Sequence, residues 1–345
     1  MIKDETFYNV INLVVELCNI NSTTGKEEHV IYFIEQLMLK NKFNVFKQKV
    51  DDNNRSNLLI TIDKNTKLKV LLCTHIDTVP PFFSPKILYD KGIIVGRGVC
   101  DAKGIAAAMI CSLLKLKKCK NNEVGLLILV GEETVSDGAK KAINGFVPKV
   151  KYLINGEPTN LCLVKAVKGI ISFKIYVYGK SGHSSDPNSG YSAIHQLNND
   201  LHCLLNNKWN CNKKFGKTTL NVGKIKGGIA SNIISDYAEA YCTIRASTRV
   251  DLLYEEIKNI ISMSTKINIY SMHSPMKLFY LKNYKLSIVS FASDLNILKI
   301  LGSPLLFGPG NISYAHSLKE QISIYDLKRS VDMYTSLSLK LLYRE

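Results

Sequence analysis

The chain has no uninterrupted apolar run near the roughly 18 residues that a membrane span needs. Residues 1–10 mix both charge signs before any apolar segment, so the sequence predicts a soluble, untargeted, cytoplasmic protein with no membrane partner. There is no C-x-x-C pair. The nine cysteines (Cys18, Cys73, Cys100, Cys111, Cys119, Cys162, Cys203, Cys211, Cys242) are odd in number and scattered, which argues for reduced, mostly buried thiols rather than a disulfide framework. Only 9 prolines, no repeat and no low-complexity linker interrupt a chain that is 46% apolar, so disorder is excluded. Acid is scarce, with 29 Asp+Glu against 45 Lys+Arg and a net charge of +16. Arginine is scarcer still, 6 against 39 lysines. With no Arg-rich helix or aromatic–basic stripe along the chain, a nucleic-acid reader is not expected. An acidic partner or a compositional bias toward Lys, Ile, Asn and Tyr remains as the meaning of the charge.

What is present predicts two compact units in 345 residues. A helix is expected from Glu27 to about Lys40, with Val30, Phe33, Ile34 and Leu37 on one face. The short apolar runs 68–73, 124–130 and 152–154 read as buried strands of an α/β sheet. Between the first two, residues 102–118 read as a helix opened by Asp101 and closed by lysines. From about Val167 the pattern alternates with period two, as in 172–178 and 238–245, which predicts half-exposed strands. Helical spacing recurs at 191–206 and 252–262. Residues 167–272 are therefore read as an inserted domain, and 1–166 with 273–345 as the discontinuous domain that carries the metal site.

The three apolar runs lead into His75-Ile76-Asp77, Glu132-Glu133 and Glu157. Ligands collect outside the carboxyl ends of strands in open α/β sheets, so these residues and Asp101, in a Gly-flanked loop, form a constellation. Its donors are nitrogen and carboxylate oxygen, which suits zinc, cobalt or manganese. Converging carboxylates repel unless cations neutralise them, and two divalent ions bridged by one carboxylate would do so. Asp77 is placed to hydrogen-bond the His75 imidazole. Glu132 and Glu133 point in different directions on an extended chain, so one can ligate while the other serves as general base.

Thr74-His75-Ile76-Asp77-Thr78-Val79-Pro80, Gly96-Arg97-Gly98-Val99-Cys100-Asp101-Ala102-Lys103-Gly104, Gly131-Glu132-Glu133, Asn155-Gly156-Glu157-Pro158 and the late His316 resemble the M20 family of co-catalytic metallopeptidases and amidohydrolases. The resemblance covers nearly the whole chain. It implies an α/β catalytic domain, a mixed sheet flanked by helices, with an inserted α+β lid that makes a homodimer. It further implies two divalent ions, Zn²⁺ or Co²⁺: His75 and Glu157 hold one, Glu133 and His316 the other, Asp101 bridges them, and Glu132 activates the attacking water. Residues 179–185 resemble the lid loop whose histidine, here His183, stabilises the oxyanion across the dimer. Asn232 and Arg245 resemble lid residues that hold substrate, Arg245 pairing with its carboxylate.

Residues 292–298, with Ser293 as a substrate contact, and 307–310 look most like the hydrolases that release lysine or ornithine from an acidic amino-group carrier protein in lysine and arginine biosynthesis. The alternatives within the family are a small-molecule deacylase, acting on acetylornithine or succinyl-diaminopimelate, and a dipeptidase. Outside it stands a non-catalytic basic binding protein. Ala292, Asn311 and Ala315 depart from the family pattern at substrate contacts and around His316. Arg97 reads equally well as a structural partner for a loop carboxylate, and Cys73 and Cys100 read as packing residues.

Overall fold

Residues 9–64 and 67–344 are described in a computed structural model. Residues 1–8, part of the start read above as untargeted, lie outside the described residues. The apolar runs become strands Val70–His75, Val124–Leu129 and Tyr152–Asn155, every residue buried. They are too short for typical helices and rich in Val, Leu and Ile, and sandwiching between helices buries both faces. The six-stranded sheet orders 44–49, 56–61, 124–129, 70–75, 152–155, 303–306. Its central strands are parallel, while 56–61 runs antiparallel to both of its neighbours. The sheet is therefore mixed.

Helix Glu28–Lys40 buries Val30, Ile34 and Leu37 as its spacing requires. Helix Lys103–Lys118 is small-sided at its start, where Ala106, Ala107 and Ala108 are fully buried, and it packs between Val10–Asn19 and Ile324–Leu342. Its last turn carries Lys115, Lys117 and Lys118, favourable beside the carbonyl end of the helix dipole. The expectation that Asp101 caps its start is corrected. The helix begins after Ala102 without a side-chain cap, because the Asp101 carboxylate lies against a histidine instead. Buried Lys103 donates to the carbonyls of Leu17 and Ile20, satisfying the exposed end of helix Val10–Asn19.

The chain divides into two units: Met1–Lys165 with Leu278–Ser287 and Ser293–Glu345, and Ala166–Lys277 with Ile288–Ala292. The second unit runs five residues past the expected boundary at 272, because Met276–Lys277 pairs with Val167 and Ala166. In it, Gly169–Tyr178 and Tyr237–Ala246 lie at the centre of a four-stranded antiparallel sheet, flanked by 219–227 and 266–273. Helices Ala193–Asn206 and Val250–Ile260 cover one face through Ile171, Phe173, Ile175, Leu197, Leu253 and Ile257.

Candidate metal centre and active site

Because Val70–His75, Val124–Leu129 and Tyr152–Asn155 are mutually parallel, their carboxyl ends open on one edge of the sheet. His75 ends the first, with Nε2 3.0 Å from Asp101 Oδ1. One ligand atom from each of His75, Asp101 and Glu133 falls within 4.8 Å of the others. His316 joins them, its Nε2 2.8 Å from Glu133 Oε2 and 3.6 Å from Asp101 Oδ2. The backbone of His316 is left-handed, φ 62°. That conformation in a non-glycine persists where its surroundings impose it. The turn Ile312–Tyr314 just before it is capped by Asn311, whose Oδ1 accepts from the Ser313 N–H at 2.9 Å, a job for which Asn serves as well as Asp.

Glu157 is buried beyond the strand Tyr152–Asn155 and outside the 4.8 Å group. Burial, then the charge of Glu132, holds its carboxyl well above the usual range, with Asp101 and Asp294 adding and His75 opposing. Glu132 is half-buried, and its carboxyl is also pushed well up by burial, against His75 and with Asp294, Asp101 and Glu133. A carboxyl raised above its ordinary value is suited to accepting and returning a proton.

Asp77 lies against the His75 imidazole and has further partners. The nearer partner of His75 Nδ1 is the Asp77 main-chain carbonyl at 3.1 Å, with the carboxylate Oδ1 at 3.5 Å. With Nδ1–H donating to that carbonyl, Nε2 is the nitrogen directed at Asp101, where it hydrogen-bonds the carboxylate and, on giving up its proton, can ligate. The Asp77 carboxylate also accepts from the N–H groups of Glu132 and Glu133, each at 3.1 Å, and from Thr24 Oγ1 at 2.8 Å. It positions the two glutamates. Burial pushes Asp77 up, but its hydrogen bonds with His75, Thr24 and the Glu133 N–H hold it below the usual carboxylate value. The turn into the glutamates needs glycine, since Gly131 has φ +76° and a Cβ there would meet Asp137 Oδ1 at 1.9 Å. Asp137 is in turn held by Arg55, which also binds buried Glu27.

Several carboxylates and two imidazoles thus converge, and Asp294 adds another buried carboxyl raised to about 6, chiefly by burial. The Cys73 and Cys100 thiols are pushed well up by burial, as packing residues would be. Nitrogen and carboxylate donors, crowded beyond what their mutual repulsion tolerates unaided, fit divalent cations of the zinc and cobalt class.

A model described as the peptidase dimerisation domain matches residues 165–264. A peptidase M20 domain-containing protein of Schizosaccharomyces pombe is 32% identical over 334 residues, covering 94% of this chain and 83% of its own. The chain belongs to the M20 peptidase family. A probable carboxypeptidase of Aspergillus clavatus is 30% identical, covering 96% of this chain and 88% of its own. In fold the chain is similar to a Staphylococcus aureus tripeptidase, with TM-score 0.85, 20% identity and coverage of 98% and 99%. It is also similar to a Bacillus subtilis M20 protein described as a dinuclear metal binding peptidase, with TM-score 0.73, 12% identity and coverage of 97% and 98%. The α/β architecture with a dimerisation domain is therefore the M20 fold.

In the second unit, exposed His183 accepts at Nδ1 from the Ser185 N–H (3.2 Å), with Ser185 Oγ 2.8 Å away. The neutral ring then carries its proton on Nε2, the nitrogen left free to donate. Asn232 neighbours it, since the Asn232 carbonyl accepts from the Ser184 N–H at 3.0 Å. Arg245 sits near the end of strand Tyr237–Ala246, half-buried, with no ion-pair partner among the described residues, and burial lowers its pKa. In the first unit, Ser293 Oγ accepts from the Leu295 N–H at 3.3 Å, starting the short helix Leu295–Leu298, with Asn155 Nδ2 3.4 Å away.

Sequence reasoning missed Glu320. Its Oε1 accepts from the N–H groups of Gly98, Cys100 and Asp101 at 2.9, 3.0 and 3.1 Å, while Oε2 pairs with Arg97 Nη1 at 2.6 Å. Arg97 is thus the structural partner of a carboxylate, and Glu320 holds the loop that presents Asp101. Nothing local in sequence marks it, because its partners lie more than two hundred residues away. Glu320→Ala strands a buried guanidinium and three N–H donors. It should cost about 3–5 kcal/mol of stability, read by denaturant unfolding, and about 10- to 100-fold in metal affinity, read by titration. Unchanged affinity would show that the Asp101 loop holds itself.

Proposed function

We propose that this M20 hydrolase uses two divalent ions, Zn²⁺ or Co²⁺, to cleave an amide bond beside a free carboxylate, in the manner of a carboxypeptidase. The observation that carries the reading is the convergence of His75, Asp101, Glu133 and His316 beside Glu132, a carboxylate left free of the ligand group. His75 and Glu157 would hold one ion, Glu133 and His316 the other, with Asp101 between them. When bound, the ions polarise the scissile carbonyl and acidify water. Glu132 takes the proton of the attacking water on its carboxylate and returns it to the leaving amine. Nε2–H of His183, supplied through a homodimer of the second unit, donates to the oxygen on which charge develops. Arg245 forks onto the substrate carboxylate, and Asn232 and Ser293 complete the substrate contacts. The names of the fungal relatives support the carboxypeptidase reading.

A second reading keeps the same chemistry in the cytoplasm and makes the substrate lysine or ornithine on the terminal glutamate of an acidic carrier protein, in lysine or arginine biosynthesis. It is favoured by the charge of +16, which would steer an acidic carrier, and by the motifs at 292–298 and 307–310. The deciding experiment compares kcat/KM on peptides with free and amidated C termini, on acetylornithine, and on carrier-linked lysine and ornithine, at two ionic strengths. The first reading expects free-carboxylate peptides to lead. Arg245→Met should lower their kcat/KM about 10- to 100-fold and leave amidated peptides nearly unchanged. Carrier-linked substrate leading, with a steep fall in added salt, would replace the first reading by the second.

A further inference from the structure

The open face of the second unit's sheet takes no part in the chemistry above, apart from Arg245 at one end. Chain order for this four-stranded sheet and its two helices is strand, helix, strand, strand, helix, strand, with the first and third strands at the centre of the sheet. Opposite the helix-covered face, alternation presents Tyr176 and Tyr178 from the first strand and Tyr237 and Tyr241 from the third. Tyr270 joins them from the register shift in Lys266–His273, its ring parallel to that of Tyr241 with centroids 6.2 Å apart. Tyr178 and Tyr270 are 67% and 55% exposed.

Lysines interleave with these rings. Lys174 stands opposite Tyr241, and its Nζ is 4.8 Å from the Tyr176 ring centroid. Lys224 also pairs with Tyr241, Lys226 with Glu239, and Lys266 with Tyr176. Glu239 is the one acidic residue on the four strands. Lys174 Nζ at 3.2 Å and the hydroxyls of Tyr237 and Tyr241 at 2.7 and 3.1 Å already satisfy it. The stripe of aromatic and basic residues that is missing along the linear chain is thus assembled across strands by register.

Aromatic rings on the two central strands of a four-stranded, helix-backed sheet are how RNA-recognition domains stack unpaired bases. Lysines around the rings supply the contacts that follow a phosphate backbone. A second copy of the chain fits poorly, because a twofold contact would set lysines against lysines with the only carboxylate already neutralised. An acidic peptide would match the lysines and make no use of exposed Tyr178 and Tyr270. The geometry points to single-stranded nucleic acid as the ligand of this face, with bases on the tyrosine rings and phosphates at Lys224, Lys226 and Lys266.

The test is fluorescence anisotropy of labelled oligouridylate and oligothymidylate 12-mers with the full chain at low salt, and of a duplex of the same length. Saturable binding of the single strands in preference to the duplex is expected. Tyr178→Ala with Tyr270→Ala should weaken it at least tenfold, while Tyr178→Phe with Tyr270→Phe, which keep the rings, should bind as the parent does. Lys224→Gln with Lys226→Gln should reduce the slope of log affinity against log salt by about 0.7 per lysine. Equal affinity for duplex, no loss in the alanine pair, or no binding at all would overturn the proposal. So would conversion of a dimer to monomer by the alanine pair in sedimentation, which would make the face a contact between copies.

Discussion

Glu132→Gln should leave metal content intact and slow turnover about 10²- to 10⁴-fold, the usual contribution of a general base. The amide keeps the volume and the Asp77-held backbone of Glu132, so Glu133 stays where it is. It removes a proton acceptor that lies beside the ligand group and outside it. It also takes a negative charge from a crowded site, so the metal should be held at least as tightly as before. The measurement is kcat on metal-loaded enzyme with metal counted by elemental analysis. Parent-like turnover with full metal would take the base assignment away from Glu132, and a loss of metal would make it a ligand.

Stripping the metals should abolish activity and loosen the fold. An ion present at 100 to 1,000 times its dissociation constant contributes about 2.7–4.1 kcal/mol of stability, so a chelated sample should melt lower by the corresponding amount. The pH dependence carries a sign. In the metal-free chain, Glu132, Glu157 and Asp294 are raised from their ordinary values chiefly by burial. Burial works against the His75 imidazolium, but its hydrogen bonds with Asp101 and Asp77 prevail and raise it too. All four therefore hold protons in the folded state that the unfolded chain releases. Their stabilisation is complete below the unfolded values, 3.8 to 4.5 for the carboxyls, and is lost as pH rises through the folded values, about 6 for Asp294. Asp77, lowered, acts in the opposite sense and protects only above its ordinary 3.8.

The metal-free melting temperature should consequently fall as pH rises from about 4.5 past about 6, while the loaded protein changes less. Metal must displace the same protons, so affinity should rise with pH and binding should release protons. Differential scanning calorimetry with and without chelator, and isothermal titration in buffers of different ionisation enthalpy, test both halves. A metal-free melting temperature that rises over this window, with no proton release on loading, would contradict the reading.

Much of the site was legible in the sequence because it is built at strand ends. A short apolar run followed at once by His75, by Gly131-Glu132-Glu133 or by Gly156-Glu157 is a local pattern, and parallel strands bring such ends to one edge. Asp101 was legible as a site residue and misjudged as a cap, since a carboxylate before a helix can serve either role until the position of His75 is known. Glu320 was not legible at all. It binds Arg97 and three N–H groups across more than two hundred residues, and an isolated glutamate near a chain end carries no signal of that.

The meaning of the positive charge divides in the same way. The sequence by itself determined that the chain is basic, without a long apolar run or a C-x-x-C pair, and that His75, Glu132, Glu133 and Glu157 follow directly on short apolar runs, because each of these properties belongs to single residues or short runs. Only the tertiary structure decided that Asp77 aims the two glutamates and that Glu320 holds the Asp101 loop. It alone, too, set Tyr176, Tyr178, Tyr237, Tyr241 and Tyr270 among lysines on one face. Those relations arise from hydrogen-bond register and buried pairing between distant segments, which a linear pattern does not encode.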